Sequence, residues 1–233
     1  MSQSPVSADH FLAALDAAVD RHAMLNHPFY QAWSEGRLNQ DILGAYAQQY
    51  FAHVKAFPTY VSGTHSASDD LDLRRELLAN LVEEEGGENN HPELWLRFAE
   101  GLGVSRDDVL GAELLEKTEA SVNTFKALTR SGDPLKGLAA LYAYESQIPE
   151  VATTKKAGLK AFYGIDGART TDFFTVHEGA DVVHREVERN ALNRLATTDE
   201  ARGLAVSAAE EAAKALWLFL DGVQEAYLDD MVC

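Results

Sequence analysis

The chain has 233 residues, 46% of them hydrophobic and 24% charged, with a formal net charge of −17 and one cysteine. That charge repels phosphate backbones and anionic bilayers, and no basic stripe offsets it locally, so nucleic acid and membrane are excluded as partners on electrostatic grounds. The lone cysteine, Cys233, allows neither an intrachain disulfide nor a thiolate-rich metal site, which leaves imidazole and carboxylate for any transition metal and points to iron or manganese.

No linker-like composition interrupts the sequence, so residues 1–233 are expected to form a single domain. The opening M-S-Q-S-P-V-S-A-D-H lacks the basic-then-apolar order of a leader, and no stretch approaches the roughly 20 apolar residues of a membrane span. The expected location is the cytoplasm.

Apolar residues recur at helical spacing almost throughout and strand-like alternation is missing, so the expected fold class is all-α, a helical bundle. The first helix is placed at about 7–24, with Phe11, Leu12, Leu15 and Val19 on one face and Ser7 or Asp9 available as N-cap. A short helix at about 28–35 opens with Pro28 in its first turn and ends at Ser34-Glu35-Gly36. Longer helices follow at about 39–66 and 70–87, the second running into the acidic series Glu83, Glu84 and Glu85. Next come helices at about 90–102 and 105–130, the latter introduced by Ser105-x-x-Asp108, which is similar to a capping box. The turn Ser131-Gly132-Asp133-Pro134 separates them from a helix at about 134–162. Helices at about 170–196 and 199–228 complete the chain, the last carrying Leu216, Phe219, Leu220 and Val223 on one face.

Metal-binding chemistry is concentrated in three of these segments. His177, Asp181 and His184 stand at i, i+4 and i+7 of a helix, within about 60° of its circumference, so three metal-capable side chains point the same way. Taken alone, the triplet reads equally well as two surface histidines flanking an aspartate. Glu84 and His91 share a face if one helix runs through both. Gly86-Gly87 and Asn89-Asn90-His91-Pro92 also fit a helix end, a loop and a fresh start, in which case Glu83, Glu85 or Glu88 could take the place of Glu84. Glu145 lies in L-A-A-L-Y-A-Y-E-S-Q-I-P, where Leu138, Leu141, Tyr142 and Ile148 should face inward. A carboxylate there is costly to bury unless it binds a metal or pairs with Lys155 or Lys156. Pro149, at i+4 from Glu145, cannot donate to its carbonyl and should kink the helix. Glu and His from one helix, Glu from a second, and His, Asp and His from a third are the mixture that two carboxylate-bridged metal ions need. His10, His22, His27, His53 and His65 show no comparable spacing and are assigned structural or surface roles, with His53 the candidate exception on its aromatic-rich helix.

The succession E-x6-H, Y-E-S-Q-I-P and H-x3-D-x2-H resembles the heme-oxygenase-like diiron oxidases, in particular the family of the chlamydial protein associating with death domains and its bacterial relatives. The likeness extends through H-P-F-Y-Q-A-W-S-E-G-R-L, Y-F-A-H-V-K-A-F-P-T-Y, N-N-H-P-E-L-W and G-L-A-A-L-Y-A-Y-E-S-Q-I-P, nearly the whole chain. It implies a heme-oxygenase-like bundle of about seven main helices. It also implies Glu84, His91, Glu145, His177, Asp181 and His184 as ligands of two first-row metal ions, Fe/Fe or Fe/Mn, with dioxygen and an external reductant as co-substrates. The implied product is p-aminobenzoate, a folate precursor, cut from one of the protein's own tyrosines with a lysine as amine donor. Carried onto this chain, those residues are Tyr30 and Lys155, and Tyr144 beside Glu145 is a second oxidisable phenol suited to a relay. Phe173 departs from the tyrosine expected there in the chlamydial relative and cannot serve as a phenol relay. A homodimer is compatible with the family, while no motif marks a docking surface for a death domain.

Other readings predict different behaviour. An external-substrate oxidase of the same fold, of the fatty-acid decarboxylase or N-oxygenase type, would need an added organic substrate. A thiaminase-like hydrolase would need a cysteine inside the bundle, whereas Cys233 is terminal. A heme oxygenase proper could use His22 or His27 but leaves the six-ligand pattern unexplained. A helical binding module with a structural metal would consume no oxygen.

Overall fold

The computed structural model describes residues 8–228. Eleven α-helices follow one another in the order α1 (Ala8–Asp20), α2 (Pro28–Ser34), α3 (Gln40–Ala67), α4 (Leu71–Glu85), α5 (His91–Gly101), α6 (Arg106–Leu110), α7 (Glu116–Thr129), α8 (Pro134–Glu145), α9 (Ile148–Tyr163), α10 (Ala168–Leu195) and α11 (Asp199–Tyr227). No strand occurs among the described residues, so the all-α expectation holds. With the short α2 and α6 set aside and α8 and α9 counted as one broken helix, eight main helices remain, close to the seven implied by the resemblance. No helix is long and apolar enough to cross a membrane among the described residues. Ser7 and Cys233 lie outside them.

Helix starts are written locally. The side chains of Asn39, Asp70, Asn90, Ser105, Asp133 and Thr198 each accept a backbone N–H in the first turn of the helix they precede, a contribution of about 1 kcal/mol apiece. Pro28 occupies the first turn of α2 as expected, and Gly36 just beyond its end has φ 69°, a conformation that costs glycine nothing.

Four expected helices are shorter or divided. The first ends at Asp20, and a separate 3-10 turn, Met24–Asn26, leads into α2. The segment expected at 70–87 stops at Glu85, because Gly86 caps it and Gly87 takes φ 72°. The segment expected at 105–130 splits into α6 and α7. Between them Gln49 of α3 donates to the Glu113 carbonyl and accepts from the Leu115 N–H, satisfying backbone groups that a continuous helix would have paired internally. The segment expected at 134–162 breaks outright at residues 146–147 instead of kinking. Pro149 falls in the first turn of α9, where its missing N–H costs little.

Helix α8 forms the centre: every residue from Gly137 to Glu145 is buried. It packs on α11, α10, α3 and α7, and the buried alanines 205, 208, 209, 212, 213 and 215 of α11 let that helix approach closely. A helix covered on all sides has no solvated face for a carboxylate. Glu145, its last residue, is therefore carried into the core.

Candidate metal centre

All six candidate ligands are buried. Glu84 and His91 are each 3% exposed, Glu145 and Asp181 2%, His177 7% and His184 8%, so the reading of the α10 triplet as surface residues fails. They form two groups, Glu84–His91–His177 and Glu145–Asp181–His184, and within each the potential ligand atoms lie within 4.8 Å of one another. Helices α4, α5, α8 and α10 supply them. Glu84 and His91 come from two helices, not one: Asn90 caps α5, and His91 is its first residue.

In the first group, His91 Nδ1 stands 2.8 Å from Glu84 Oε1 without the alignment of a hydrogen bond. Such a spacing suits two ligands on one ion, since bonds of about 2.1 Å at right angles separate their atoms by about 3 Å. His177 Nδ1 donates to the Phe173 carbonyl at 2.6 Å, which fixes the tautomer and leaves Nε2 as the lone pair available to a metal. Burial, with His91 adding, pushes the His177 imidazole down to about 3, so it is neutral and able to ligate. The Phe173 ring lies 4.1 Å from that of His177 and 4.7 Å from that of Trp95, packing the imidazole from one side.

In the second group, His184 Nδ1 bonds Glu145 Oε1 at 3.0 Å, Asn80 Nδ2 donates to the same oxygen at 2.9 Å, and Asp181 Oδ1 lies 3.5 Å from His184 Nδ1. Burial raises the Asp181 carboxyl to about 7, with Glu145 and Glu84 adding to the rise and His184 opposing it. Burial disfavours charge on His184, but Asp181 and Glu145 outweigh it and raise the imidazole to about 11.

Whether these residues suit metal ions is tested by their unmet bonds. Asp181 Oδ2 and Glu145 Oε2 are buried without a hydrogen-bond partner. Three buried carboxylates and three imidazoles, with oxygens left unanswered, are what cations satisfy. The mixed oxygen and nitrogen donors match first-row divalent ions. Tyr50, Tyr144 and Phe173 join five of the candidate ligands around a cavity of about 20 Å³ beside the centre.

A second buried polar region adjoins it. Lys155 of α9 is 4% exposed, with its ammonium position 4.6 Å from the ring centre of Tyr30, 4.7 Å from Tyr46 and 4.9 Å from Tyr50. Its Nζ donates to Tyr46 Oη at 2.5 Å, and Tyr46 Oη shares a 2.9 Å bond with Tyr30 Oη. Burial alone drives the amine well below its ordinary range. Tyr30 lies inside α2, 2% exposed, and burial raises its phenol well above the usual value. Tyr144 shares a 2.6 Å bond with Tyr50, whose ring stacks 5.5 Å from that of Tyr46. The hydroxyls and rings of Tyr144, Tyr50, Tyr46 and Tyr30 thus make a continuous file from the candidate metal centre to the lysine.

His53, the candidate exception, is structural: it is 0% exposed, bonds Ser121 Oγ at 2.9 Å, and burial pushes its imidazole down to about 3. Sequence reasoning missed Tyr46, Tyr50, Asn80 and Glu188. The signals were present: Tyr46 and Tyr50 are one turn apart, Asn80 is one turn before Glu84, and Glu188 continues the face of Asp181 and His184.

Comparison with known proteins gives a consistent answer. A family model described as an iron-containing redox enzyme matches residues 44–217. A 4-aminobenzoate synthase from Nitrosomonas europaea is 39% identical, covering 98% of this chain and 96% of its own length. One from Chlamydia muridarum is 42% identical, covering 93% of this chain and 91% of its own length. A solved domain of unknown function with a heme oxygenase-like fold, from Shewanella denitrificans, superposes with a TM-score of 0.80 at 19% identity, covering 96% of this chain and 94% of that one.

Proposed function

This chain belongs to the heme-oxygenase-like family of iron-containing redox enzymes, and on that premise we propose that it forms 4-aminobenzoate from the ring of its own Tyr30, with Lys155 as amine donor. Relatives about 40% identical over most of their length bear the name of that synthase. The observation that carries the reading is the buried amine of Lys155, held 4.6 Å over the ring of Tyr30 and joined to its hydroxyl through Tyr46.

Glu84, His91, Glu145, His177, Asp181 and His184 would hold two metal ions, iron with iron or iron with manganese. Bound there, they would supply oxidising power from dioxygen and an external reductant. The chain's own residues do the rest. The cavity beside the ligands, about 20 Å³, accepts a water-sized molecule and is far smaller than the roughly 300–1,000 Å³ of pockets that take organic ligands, which favours a substrate already built into the core. Tyr144 and Tyr50, bonded at 2.6 Å, give oxidising equivalents a route inward that bypasses Phe173. Product formation replaces the phenol oxygen by nitrogen, breaks Nζ–Cε of Lys155 and Cα–Cβ of Tyr30, and oxidises Cβ to the carboxylate at the expense of dioxygen, so the amine must reach the ring carbon bearing the phenol oxygen. Tyr46 Oη touches both groups and is placed to take a proton from Nζ while giving one to the departing oxygen. Desolvation lowers the pKa of the amine and so favours its neutral, nucleophilic form.

We take residues 1–233 to act as one domain in the cytoplasm. Dioxygen and a reductant are the partners this reading requires and a homodimer is compatible with it, whereas the chlamydial relative's death-domain association is not carried over. The test is protein containing ring-labelled tyrosine, loaded with metal, reduced and exposed to oxygen. Labelled 4-aminobenzoate and a peptide missing the Tyr30 side chain are expected. Tyr30→Phe should make no product, and Lys155→Arg should stop at amination with metal still bound, because guanidinium stays protonated. Unlabelled product, or an intact Tyr30 in protein that has made product, would move the assignment to an external-substrate oxidase.

A further inference from the structure

Glu188 lies one turn beyond His184 and two beyond Asp181 on α10. It is 3% exposed. Its carboxyl shares a hydrogen bond with that of Glu145, which two carboxyls make only while a proton lies between them, and no other group donates to either Glu188 oxygen or to Glu145 Oε2. Across from it on α4, one turn before Glu84, Asn80 spends its amide N–H on Glu145 Oε1 and leaves Oδ1 buried without a donor. Four oxygens, two from Glu188 and one each from Asn80 and Glu145, therefore lie buried with no donor but the one proton that the two carboxyls share. Glu188, Asn80 and His184 line a leucine-walled cavity of about 20 Å³ on this side of the centre.

A divalent cation in that space answers every acceptor at once, including the two carboxyl oxygens that the shared proton holds together. The oxygen-only donor set and the small volume select a hard divalent ion over one that prefers imidazole or sulfur. The arrangement also has an outer end. Glu76, a further turn back on α4, lines the same cavity, and its side chain is 36% exposed with no hydrogen bond to Oε2. Arg194, held by Asp70, stands 3.6 Å from that oxygen.

We propose that Glu188, Asn80 and the outer oxygen of Glu145 form a third cation site, oxygen-only, through which divalent ions pass between α4 and α10 to reach the dinuclear centre. It rests on the reading of Glu145 and His184 as ligands. The site is weaker than the two inner ones because it has no imidazole, and it exchanges with solvent past Glu76.

The test uses metal-free full-length protein and Mn²⁺ alone, followed by loss of the free-ion EPR signal in both equilibrium titration and rapid mixing. Wild type should bind two ions tightly and a third weakly. Glu188→Gln should keep the two tight ions, weaken the third at least tenfold, and slow loading of the inner pair by about tenfold, in the range typical of groups just outside a metal's ligands. Asn80→Asp, which adds a charge, should move the third ion's affinity the other way, and its circular dichroism and that of Glu188→Gln should match wild type. Equal stoichiometry and loading rate in wild type and Glu188→Gln would overturn the third site while leaving the dinuclear centre intact. The same conclusion follows if Glu188→Gln gains thermal stability without any change in metal binding, since Glu188 and Glu145 would then simply share a proton. Fewer than two tight ions in wild type would sink the ligand reading itself.

Discussion

The molecule buries two polar regions side by side, and they are incomplete in opposite senses. Between α4, α5, α8 and α10, carboxylates crowd together with oxygens that no donor reaches. Between α2, α3 and α9, an amine is enclosed by aromatic faces with a phenol as its hydrogen-bond partner. The first awaits positive charge. The second lowers the need for charge, since burial shifts the amine towards its neutral form, which takes no counter-ion. A shared core can hold both because the file of tyrosines between them is polar only at its hydroxyls, which bond one another in pairs.

Breaking the first region should have the larger effects. In a His177→Ala, His184→Ala double variant, metal content measured by elemental analysis should fall from about two ions per chain to near zero, because each group in turn loses an imidazole. Full occupancy would show that the buried cluster is an ion-pair network. Glu145→Gln should fold, yet consume oxygen at least about 100-fold more slowly, the amide being a poorer ligand than the carboxylate. Wild-type consumption would make Glu145 a paired charge only.

Perturbing the second region should sharpen the contrast by leaving metal untouched. Tyr46→Phe removes the hydroxyl that serves both Tyr30 and Lys155, so urea unfolding should show a loss of about 1–3 kcal/mol, the cost of stranding buried polar groups, at unchanged metal content. A change in metal content would mean that the two regions are not separable. The smallest effect is in pH dependence. Lys155 titrates lower in the folded than in the unfolded chain, so between those two values the unfolded state binds more protons and its contribution to stability rises with pH. Lys155→Met should flatten that rise below about pH 9.5, before the tyrosines with their raised values begin to favour the unfolded state. An unchanged slope would show that the amine stays protonated in the core.

The two regions also differ in how far they could be read from the sequence. His177, Asp181 and His184 were legible because one continuous helix converts spacing directly into a shared face. Glu84 and His91 were legible for a different reason from the one their spacing suggests: a helix end, a glycine pair and an Asn90 cap bring them together. Glu188 obeys the same helical arithmetic as the ligands but sits in R-E-V-E-R, a run that looks solvated. His53 stood out on an aromatic-rich helix and proved to be packing. Tyr30 and Lys155 became candidates only through resemblance. Their meeting depends on the break at residues 146–147, which redirects α9 towards α2, where Trp33 Nε1 donates to the Lys155 carbonyl at 3.1 Å and Gly158 leaves room for the Trp33 indole. No local pattern encodes a contact between side chains more than a hundred residues apart.

Tyr30 is packed wholly inside the fold, against Phe29 and Tyr46 as well as Lys155. If its ring becomes the product, the chain that remains has lost an aromatic side chain from its interior. A large-to-small change of that kind typically costs about 3–5 kcal/mol, a large part of the roughly 5–15 kcal/mol that holds a domain folded. A used molecule would then differ from a fresh one in how often it opens, which is the property that cellular proteases and chaperones sample. Reaction would thereby set the lifetime of the protein, and supply of product would be tied to the rate at which new chains are made.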